Sequence, residues 1–192
     1  MRHGVRDGQF IVSIGRTDLR FQSVEIQYCD IANTPSVFAG KNNKSVRETM
    51  QHRRYMHLRD ELESRFPDQL DSPLGEFLLL LKERGDEFYK RFWNKHGDLE
   101  YCRFRIADWP QIESKGLYIY AIEDRVRYVG RCRDSFRKRL NNGYGSISRK
   151  NCYIDGQSTT CRLNALVAAH RGEVALFACP IESDDVIVSL EG

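Results

Sequence analysis

The sequence lacks any long apolar run and any apolar leader. Its longest uninterrupted apolar stretches, 117–122 and 174–179, hold six residues each, whereas a membrane-spanning helix needs about 20. The N-terminal residues Met1–Asp7 contain no hydrophobic segment of the kind found in signal peptides. We therefore expect no membrane association and a cytoplasmic location.

Paired metal-type cysteines and repeats are also missing. None of the six cysteines forms a Cys-x-x-Cys pair, and a chain of 192 residues can bury a core without disulfides. A reducing compartment is thus the simpler expectation, without a structural zinc site. Because no repeat or low-complexity segment is present, the length predicts one domain, or one domain with a modest appendage.

The chain has little net charge, but its positive charge is concentrated. The formal net charge is +3, whereas residues 125–150 hold nine Lys or Arg and one acid, a net of +8, so that the rest sums to −5. Such a segment, interleaved with aromatic residues, is typical of a polyanion-binding surface. Its cations are Arg125, Arg127, Arg131, Arg133, Arg137, Lys138, Arg139, Arg149 and Lys150.

The first part of the chain reads as strands followed by two helices. Alternating or apolar patterns predict strands over 9–14 and 21–29. Ser45 and Glu48 form a capping-box pattern that begins a helix predicted to run to Pro67. A second helix is predicted from Pro73 to near Gly97.

The second part predicts a hairpin, two helices, a strand and a last helix. Strands are expected over 117–123 and 125–131 with a turn at Glu123-Asp124, followed by a helix from Asp134 or Ser135 to about Asn141. A polar loop (151–160), a helix (160–171) and a buried strand (173–179) follow, and the strand is placed in the sheet of the hairpin. A last helix is predicted to begin at Ser183-Asp184-Asp185.

Three short motifs carry the chemistry. Gly116-Leu117-Tyr118 is followed by Tyr128-Val129-Gly130, in which the tyrosine comes ten positions after Tyr118, and then by Ser135-Phe136-Arg137-Lys138-Arg139-Leu140. At this spacing, residues 115–192 resemble the GIY-YIG nuclease family, in particular its excision-repair and homing members. The resemblance implies an α/β (α+β) fold with a small mixed β-sheet flanked by helices, as residues 111–192. Residues 1–110 would be a strand-plus-helix region for DNA recognition or dimerisation.

The resemblance also assigns catalytic roles. It implies that Tyr118 or Tyr128 helps to activate the attacking water, and that Arg139 and Arg131 stabilise charge on the phosphate. Because free tyrosine has a pKa near 10, the hydroxyl would need assistance from a metal-bound hydroxide or a nearby cation. The plainer alternative makes the tyrosines cross-strand aromatic partners and Arg139 a solvated charge.

Two further positions match the family less closely. Tyr144 lies five residues after Arg139, whereas the family usually has Tyr or His at four, and we expect the extra residue, Gly143, to be absorbed at the helix end. By resemblance, Glu191 would hold Mg²⁺ or Mn²⁺; Glu182 and Asp185 are alternatives, although both read as helix-start residues. The family's closing asparagine would follow beyond Glu191, so the chain is either shortened or degenerate there.

The sequence therefore predicts a metal-dependent endonuclease for double-stranded DNA. Residues 156–162 resemble a loop of restriction-type members, which favours a sequence-specific, bacterial restriction-type enzyme acting as a homodimer. A homing or repair nuclease is the next alternative, and a non-catalytic nucleic-acid-binding module is the rival from another class. The expected nucleic-acid contacts, from the basic segment, are Arg133, Arg137, Lys138, Arg149 and Lys150.

Overall fold

The computed structural model of the chain describes residues 3–6, 9–14, 17–29, 38–107 and 109–183. It is a mixed α+β protein with a curled antiparallel sheet and helices. It divides into two compact units: unit 1 is Met1–Ile31, Cys102–Ser146 and Leu166–Gly192, and unit 2 is Ala32–Tyr101 and Ile147–Ala165. This division into two units reflects which residues pack against one another. The functional division into 1–110 and 111–192 is a different one and stays a prediction.

Unit 1 contains a six-stranded sheet and a two-stranded ribbon. The sheet has the order β1-β2-β3-β8-β6-β7, and the ribbon pairs β4 with β5. Every pairing between the described strands is antiparallel, so the expectation of a mixed sheet was wrong. The strands are β1 (His3–Arg6), β2 (Gln9–Ile14), β3 (Thr17–Val24), β4 (Ile26–Cys29), β5 (Arg103–Ile106), β6 (Gly116–Ile122), β7 (Arg125–Cys132) and β8 (Val174–Pro180).

The predicted strand over 21–29 is two strands in the structure. β3 pairs with β8 through Gln22–Val24, whereas β4 leaves that sheet and pairs with β5. The chain thus changes partner at Glu25, which an alternating pattern does not reveal. The other predictions for the sheet were confirmed: β2 spans the predicted residues, and β8 pairs with β6 beside the hairpin.

Strand β6 is buried along its whole length and separates two clusters of side chains. Leu117, Ile119 and Ala121 pack with aromatic residues of β2, β3 and β8 in one apolar core. Because successive side chains alternate across a strand, Tyr118 and Tyr120 lie on the opposite face. The hairpin to β7 turns at Glu123 and Asp124, as predicted, and both have positive φ angles (52° and 60°), which suits a tight turn between twisted strands.

Unit 2 is helical around an aromatic core. Its helices are α1 (Val46–Thr49), α2 (Arg59–Arg65), α3 (Leu74–Glu83) and the first part of α4 (Ser158–Ala169), with 3-10 segments at Phe38–Lys41, Met56–Leu58, Pro67–Gln69, Glu87–Phe92 and Arg149–Cys152. Within that core, the rings of Trp93 and Tyr153 are stacked with centroids 5.3 Å apart. The predicted capping box is present at Ser45 and Glu48.

Both predicted N-terminal helices are broken in the structure. After α1 the chain tightens through i→i+3 bonds, from the His52 amide to Thr49 and from the Tyr55 amide to His52. Tyr55, at the end of these turns, is buried in the core of unit 2. The second helix ends because Gly85 adopts a φ of +72°, a conformation that favours glycine.

The remaining helical predictions fared differently. The helix predicted over 160–171 is α4, shifted by two residues. The helix predicted to end near Asn141 is a π-helix over Arg137–Tyr144 and so continues three residues further. The last helix lies almost wholly outside the described residues, which end at 183. Within the described part of the chain, no helix is long and apolar enough to span a membrane.

Candidate active site

Three of the predicted site residues meet on one face of the sheet in unit 1. The hydroxyls of Tyr118 on β6 and Tyr144 on the π-helix are 2.8 Å apart and share a hydrogen bond. Both side chains are interior, with 1% and 3% of their surface exposed. The ring of Tyr128 on β7, which is half-buried, lies 6.2 Å from that of Tyr118. The family resemblance predicted that these tyrosines belong to one site, and the structure brings Tyr118 and Tyr144 into hydrogen-bonding contact.

The glycine of the second motif makes room for the first tyrosine. Gly130 lies opposite Tyr118 in the β6–β7 register. A Cβ at Gly130 would approach Cζ and Oη of Tyr118 to 2.3 Å, which is shorter than any tolerable contact. The Tyr118 ring therefore crosses the backbone of β7, and any larger residue at 130 would displace its hydroxyl from Tyr144. The two motifs are coupled by packing as well as by sequence.

The environment of these hydroxyls keeps them protonated. Burial, with a smaller contribution from Tyr144, raises the pKa of Tyr118 far above its ordinary value. Burial raises the pKa of Tyr144 to about 12, an effect that the hydrogen bond from Tyr118 and the nearby positive charge of Arg139 partly oppose. At neutral pH both groups therefore act as hydrogen-bond donors and acceptors. A role as a base would require a further positive charge at the site.

The π-helix absorbs the extra residue before Tyr144. The amide of Gly145 donates to the carbonyl of Leu140 at 2.7 Å, an i→i+5 bond, whereas the amide of Arg139 donates to Ser135, an i→i+4 bond. Because a π-turn contains one residue more than an α-turn, Tyr144 can lie over Arg139 although five residues separate them. Our expectation that the chain absorbs Gly143 at a helix end was wrong, since the helix widens and continues.

Neighbouring strands and turns hold this helix in place. The amides of Phe136 and Arg137 donate to the carbonyls of Ser114 and Ile112, both at 2.9 Å. On the other side, the Phe104 amide of β5 donates to the carbonyl of Gly145 at 3.1 Å. The Ile106 amide donates to the side chain of Asn141 at 2.7 Å. We did not foresee the role of β5, because nothing in its local pattern indicates which helix it contacts.

Tyr120 is a further member of the cluster that the sequence motifs missed. Its ring centroid lies 6.1 Å from that of Tyr118 and 6.5 Å from that of Tyr144. The side chain is completely buried, and its hydroxyl has no hydrogen-bond partner among the residues that the structure describes. The alternation Tyr-Ile-Tyr could have indicated that both tyrosines share a face.

The basic side chains differ in whether a neighbouring carboxylate pairs with their charge. Arg137 is ion-paired with Glu113, and Lys138 with Asp134 at 2.6 Å. Arg133 and Arg139 are exposed, and neither has an ion pair within the described residues. The expected contacts therefore fall into a partly neutralised group and an open group. Lys150 is exposed, and nothing can be said of the side chain of Arg149.

The structure does not place Arg131 with the tyrosines, and it does not describe Glu191, the predicted metal ligand. Arg131 pairs with Leu117 across the hairpin, so strand alternation directs it to the face opposite Tyr118. Glu191 and its alternative Asp185 lie outside the described residues, whereas Glu182 is described and exposed. Among the described residues, no group of three or more His, Cys, Asp or Glu side chains could hold a metal ion.

The site thus combines a hydrogen-bonded tyrosine pair, a third tyrosine at its edge and a neighbouring guanidinium. Its chemistry suits an anionic ligand that accepts hydrogen bonds from hydroxyl and guanidinium groups. Comparisons with protein-family models, with curated proteins and with solved structures find no match to this chain.

Proposed function

We propose that the chain is an endonuclease of the GIY-YIG type that hydrolyses phosphodiester bonds in double-stranded DNA. The observation that carries the proposal is the hydrogen bond between Tyr118 and Tyr144, with Arg139 one π-turn away. Residues that the motifs single out, 26 positions apart, are thereby in contact. Simple cross-strand packing accounts for the two hairpin tyrosines, but it does not account for the paired hydroxyl on the helix or for the nearby arginine.

Burial suggests a division of labour among the tyrosines. The Tyr118 hydroxyl is enclosed and bonded to Tyr144, so it would orient Tyr144 rather than meet the substrate. Tyr128 is only half-buried, so its hydroxyl is the one that can contact and orient the attacking water. As the water oxygen bonds to phosphorus, the water would lose a proton to solvent. The bond to the leaving oxygen would break, and that oxygen would take up a proton from solvent. Arg139 would stabilise the charge on the pentavalent phosphate.

A divalent cation, Mg²⁺ or Mn²⁺, would lower the pKa of the water and neutralise phosphate charge when bound. The only ligand that the resemblance supplies for it is Glu191, outside the described residues. The described carboxylates form no alternative cluster. The metal requirement therefore remains a proposal that depends on Glu191.

The biological setting is proposed on the same resemblance. We infer a bacterial, cytoplasmic restriction-type enzyme that acts as a homodimer, because cutting both strands of a duplex is simplest with two active sites. Digestion of plasmid DNA followed by sequencing of the ends would test this: unique ends at a short symmetric site are expected. Ends scattered over many sequences would instead favour a repair or homing nuclease.

The catalytic assignment is tested by comparing two arginines of the basic segment. Arg139→Lys keeps the charge but loses the planar fork, so the single-turnover cleavage rate should fall by about a hundredfold or more while duplex binding persists. Arg133→Lys is the matched control, since Arg133 is exposed and belongs to the same segment. Cleavage rates within a few-fold of wild type for both variants would contradict the assignment. Binding without any cleavage by wild type would favour the non-catalytic module.

A further inference from the structure

Unit 2 carries a second, separate concentration of positive charge. Residues 41–59 contain six Lys or Arg and one acid, a net of +5, whereas residues 60–100 contain six Lys or Arg and eleven acids, a net of −5. The net charges of the two segments sum to zero, so the overall net charge of the chain does not show that they differ. Cations thus outnumber acids by five within residues 41–59, which favours an anionic ligand there.

The two segments also differ in how their cations are paired. In residues 60–100, four of the six cations have a carboxylate partner: Arg65, Lys82, Lys90 and Arg91. In residues 41–59, Lys41 pairs with Asp155 and Arg47 with Asp71. The other four have no ion pair among the residues that the structure describes; we call them the unit 2 basic surface, and they are Lys44, Arg53, Arg54 and Arg59.

This surface is held on a fixed framework. Between its arginines, Tyr55 and Leu58 are buried in the core of unit 2, and the Tyr55 hydroxyl donates to Asp155 at 2.6 Å. Arg54 Nη1 donates to the carbonyl of Ile154 at 2.6 Å. Cations on such a fixed turn lose less conformational freedom on binding a ligand than cations on a free loop.

A cavity opens within the same segment. It has a volume of about 100 Å³, and Arg47, Arg59 and Gln51 supply N–H donors to its wall, with Glu63 as its acidic member. Arg59 uses one N–H for the carbonyl of Met50 at 3.2 Å. Of the four cations of the unit 2 basic surface, Arg59 lines this cavity.

We propose that the unit 2 basic surface binds nucleic-acid phosphates, as a second contact distinct from the hairpin and π-helix of unit 1. Three of its four cations are arginines, whose planar fork matches a phosphate oxygen pair. The choice of duplex DNA as the nucleic acid rests on the proposed function. The contact itself depends on the charge, the pairing and the fixed geometry of unit 2.

The test compares two double variants that change the charge equally. Lys44→Glu with Arg53→Glu removes two exposed cations of the surface, and Arg84→Glu with Lys95→Glu removes two exposed cations from the acidic segment. Binding of a fluorescent duplex is measured by anisotropy over a salt series without divalent ions. For the first pair we expect at least tenfold weaker binding and a log–log salt slope shallower by about 2, since each phosphate contact contributes about 0.9. For the control pair we expect binding within about twofold of wild type.

Each alternative outcome has a defined meaning. Equal affinity and slope for the first pair would overturn the proposal, and so would equal weakening by both pairs, because net charge would then be responsible. Selective loss of binding to phosphatidylserine vesicles, with DNA binding unchanged, would assign the surface to a membrane and also overturn it. Thermal unfolding of all variants guards against misfolding, and Lys44→Gln with Arg53→Gln repeats the test with a smaller charge change.

This binding test and the test of the nuclease proposal can succeed or fail independently. If wild type does not cleave DNA but the first pair weakens binding, the unit 2 contact stands and the nuclease proposal fails. If wild type cleaves and the first pair binds like wild type, the reverse holds.

Discussion

Removal of single hydroxyl groups from the tyrosine cluster should change stability in opposite directions. Tyr118→Phe removes one of the two hydroxyls from a buried hydrogen bond of 2.8 Å with Tyr144. A change of this kind costs about 1–2 kcal/mol. Tyr120→Phe instead removes a fully buried hydroxyl without a partner among the described residues. It should relieve a desolvation cost of about 1–3 kcal/mol.

The two variants should therefore differ by about 2–5 kcal/mol in the free energy of unfolding, although each loses one oxygen atom. Urea unfolding followed by circular dichroism measures this difference, and an unchanged slope would show that the unfolding transition is the same. A double-mutant cycle with Tyr144→Phe isolates the pair and should give a coupling energy of about 1 kcal/mol.

The reasoning would be refuted if Tyr120→Phe were as destabilising as Tyr118→Phe. The Tyr120 hydroxyl would then have a bonding partner that offsets its burial. A coupling energy near zero between positions 118 and 144 would refute the claim about Tyr118. The hydrogen bond between the two hydroxyls would then contribute nothing to the free energy of unfolding.

Four further measurements check the remaining parts of the site. Tyr128→Phe should slow single-turnover cleavage by at least tenfold with little loss of stability, because Tyr128 is half-buried, and a rate like that of wild type would leave its ring as a packing partner only. Arg133→Ala should make the salt slope of DNA binding shallower by about 0.9, and Lys138→Ala by less, because the charge of Lys138 is already paired; equal slopes would contradict this distinction. Glu191→Gln should abolish metal-dependent cleavage while duplex binding persists, and continued cleavage would remove Glu191 as the metal ligand. Because the pKa of Tyr144 is raised to about 12, its contribution to stability should be complete below pH 10 and fall as the pH rises from about 10 to 12; unfolding midpoints unchanged over that range would contradict the burial of the cluster.

The features that the sequence predicted well depend on neighbours along the chain. The hairpin is an example, since two apolar or alternating runs flank a two-residue turn, and Glu123-Asp124 adopts the positive φ angles that such turns need. The capping box at Ser45 and Glu48 is another, because its two hydrogen bonds join residues three apart. Strand β8 was also placed correctly beside the hairpin, on the strength of its fully apolar pattern.

The features that the sequence did not predict depend on distant partners. Pairing of β3 with β8 joins the start of the chain to its end, and no local pattern specifies such a partner. Asp155 is similar, because it accepts a hydrogen bond from Tyr55 and an ion pair from Lys41, 100 and 114 residues away. The chain breaks the predicted helix before Tyr55, whose side chain is buried and bonded to Asp155. Helical periodicity was present there, but tertiary contacts overrode it.

The π-helix depends on both local and distant contacts, and it shows how Tyr144 reaches the site from five positions after Arg139. An α-helical turn would place residue 143 over Arg139, and that residue is a glycine without a hydroxyl. The wider π-turn places Tyr144 over Arg139 instead, and the hydrogen bond to Tyr118 holds the Tyr144 hydroxyl in that position. π-Turns are rare because their backbone packs less well, so this one must be stabilised from outside. Two of its supports are the bond from Phe104 to the Gly145 carbonyl and the bond from Ile106 to Asn141. Strand β5, which lies outside the motifs, is therefore one of the elements that hold the π-helix where Tyr144 contacts Tyr118.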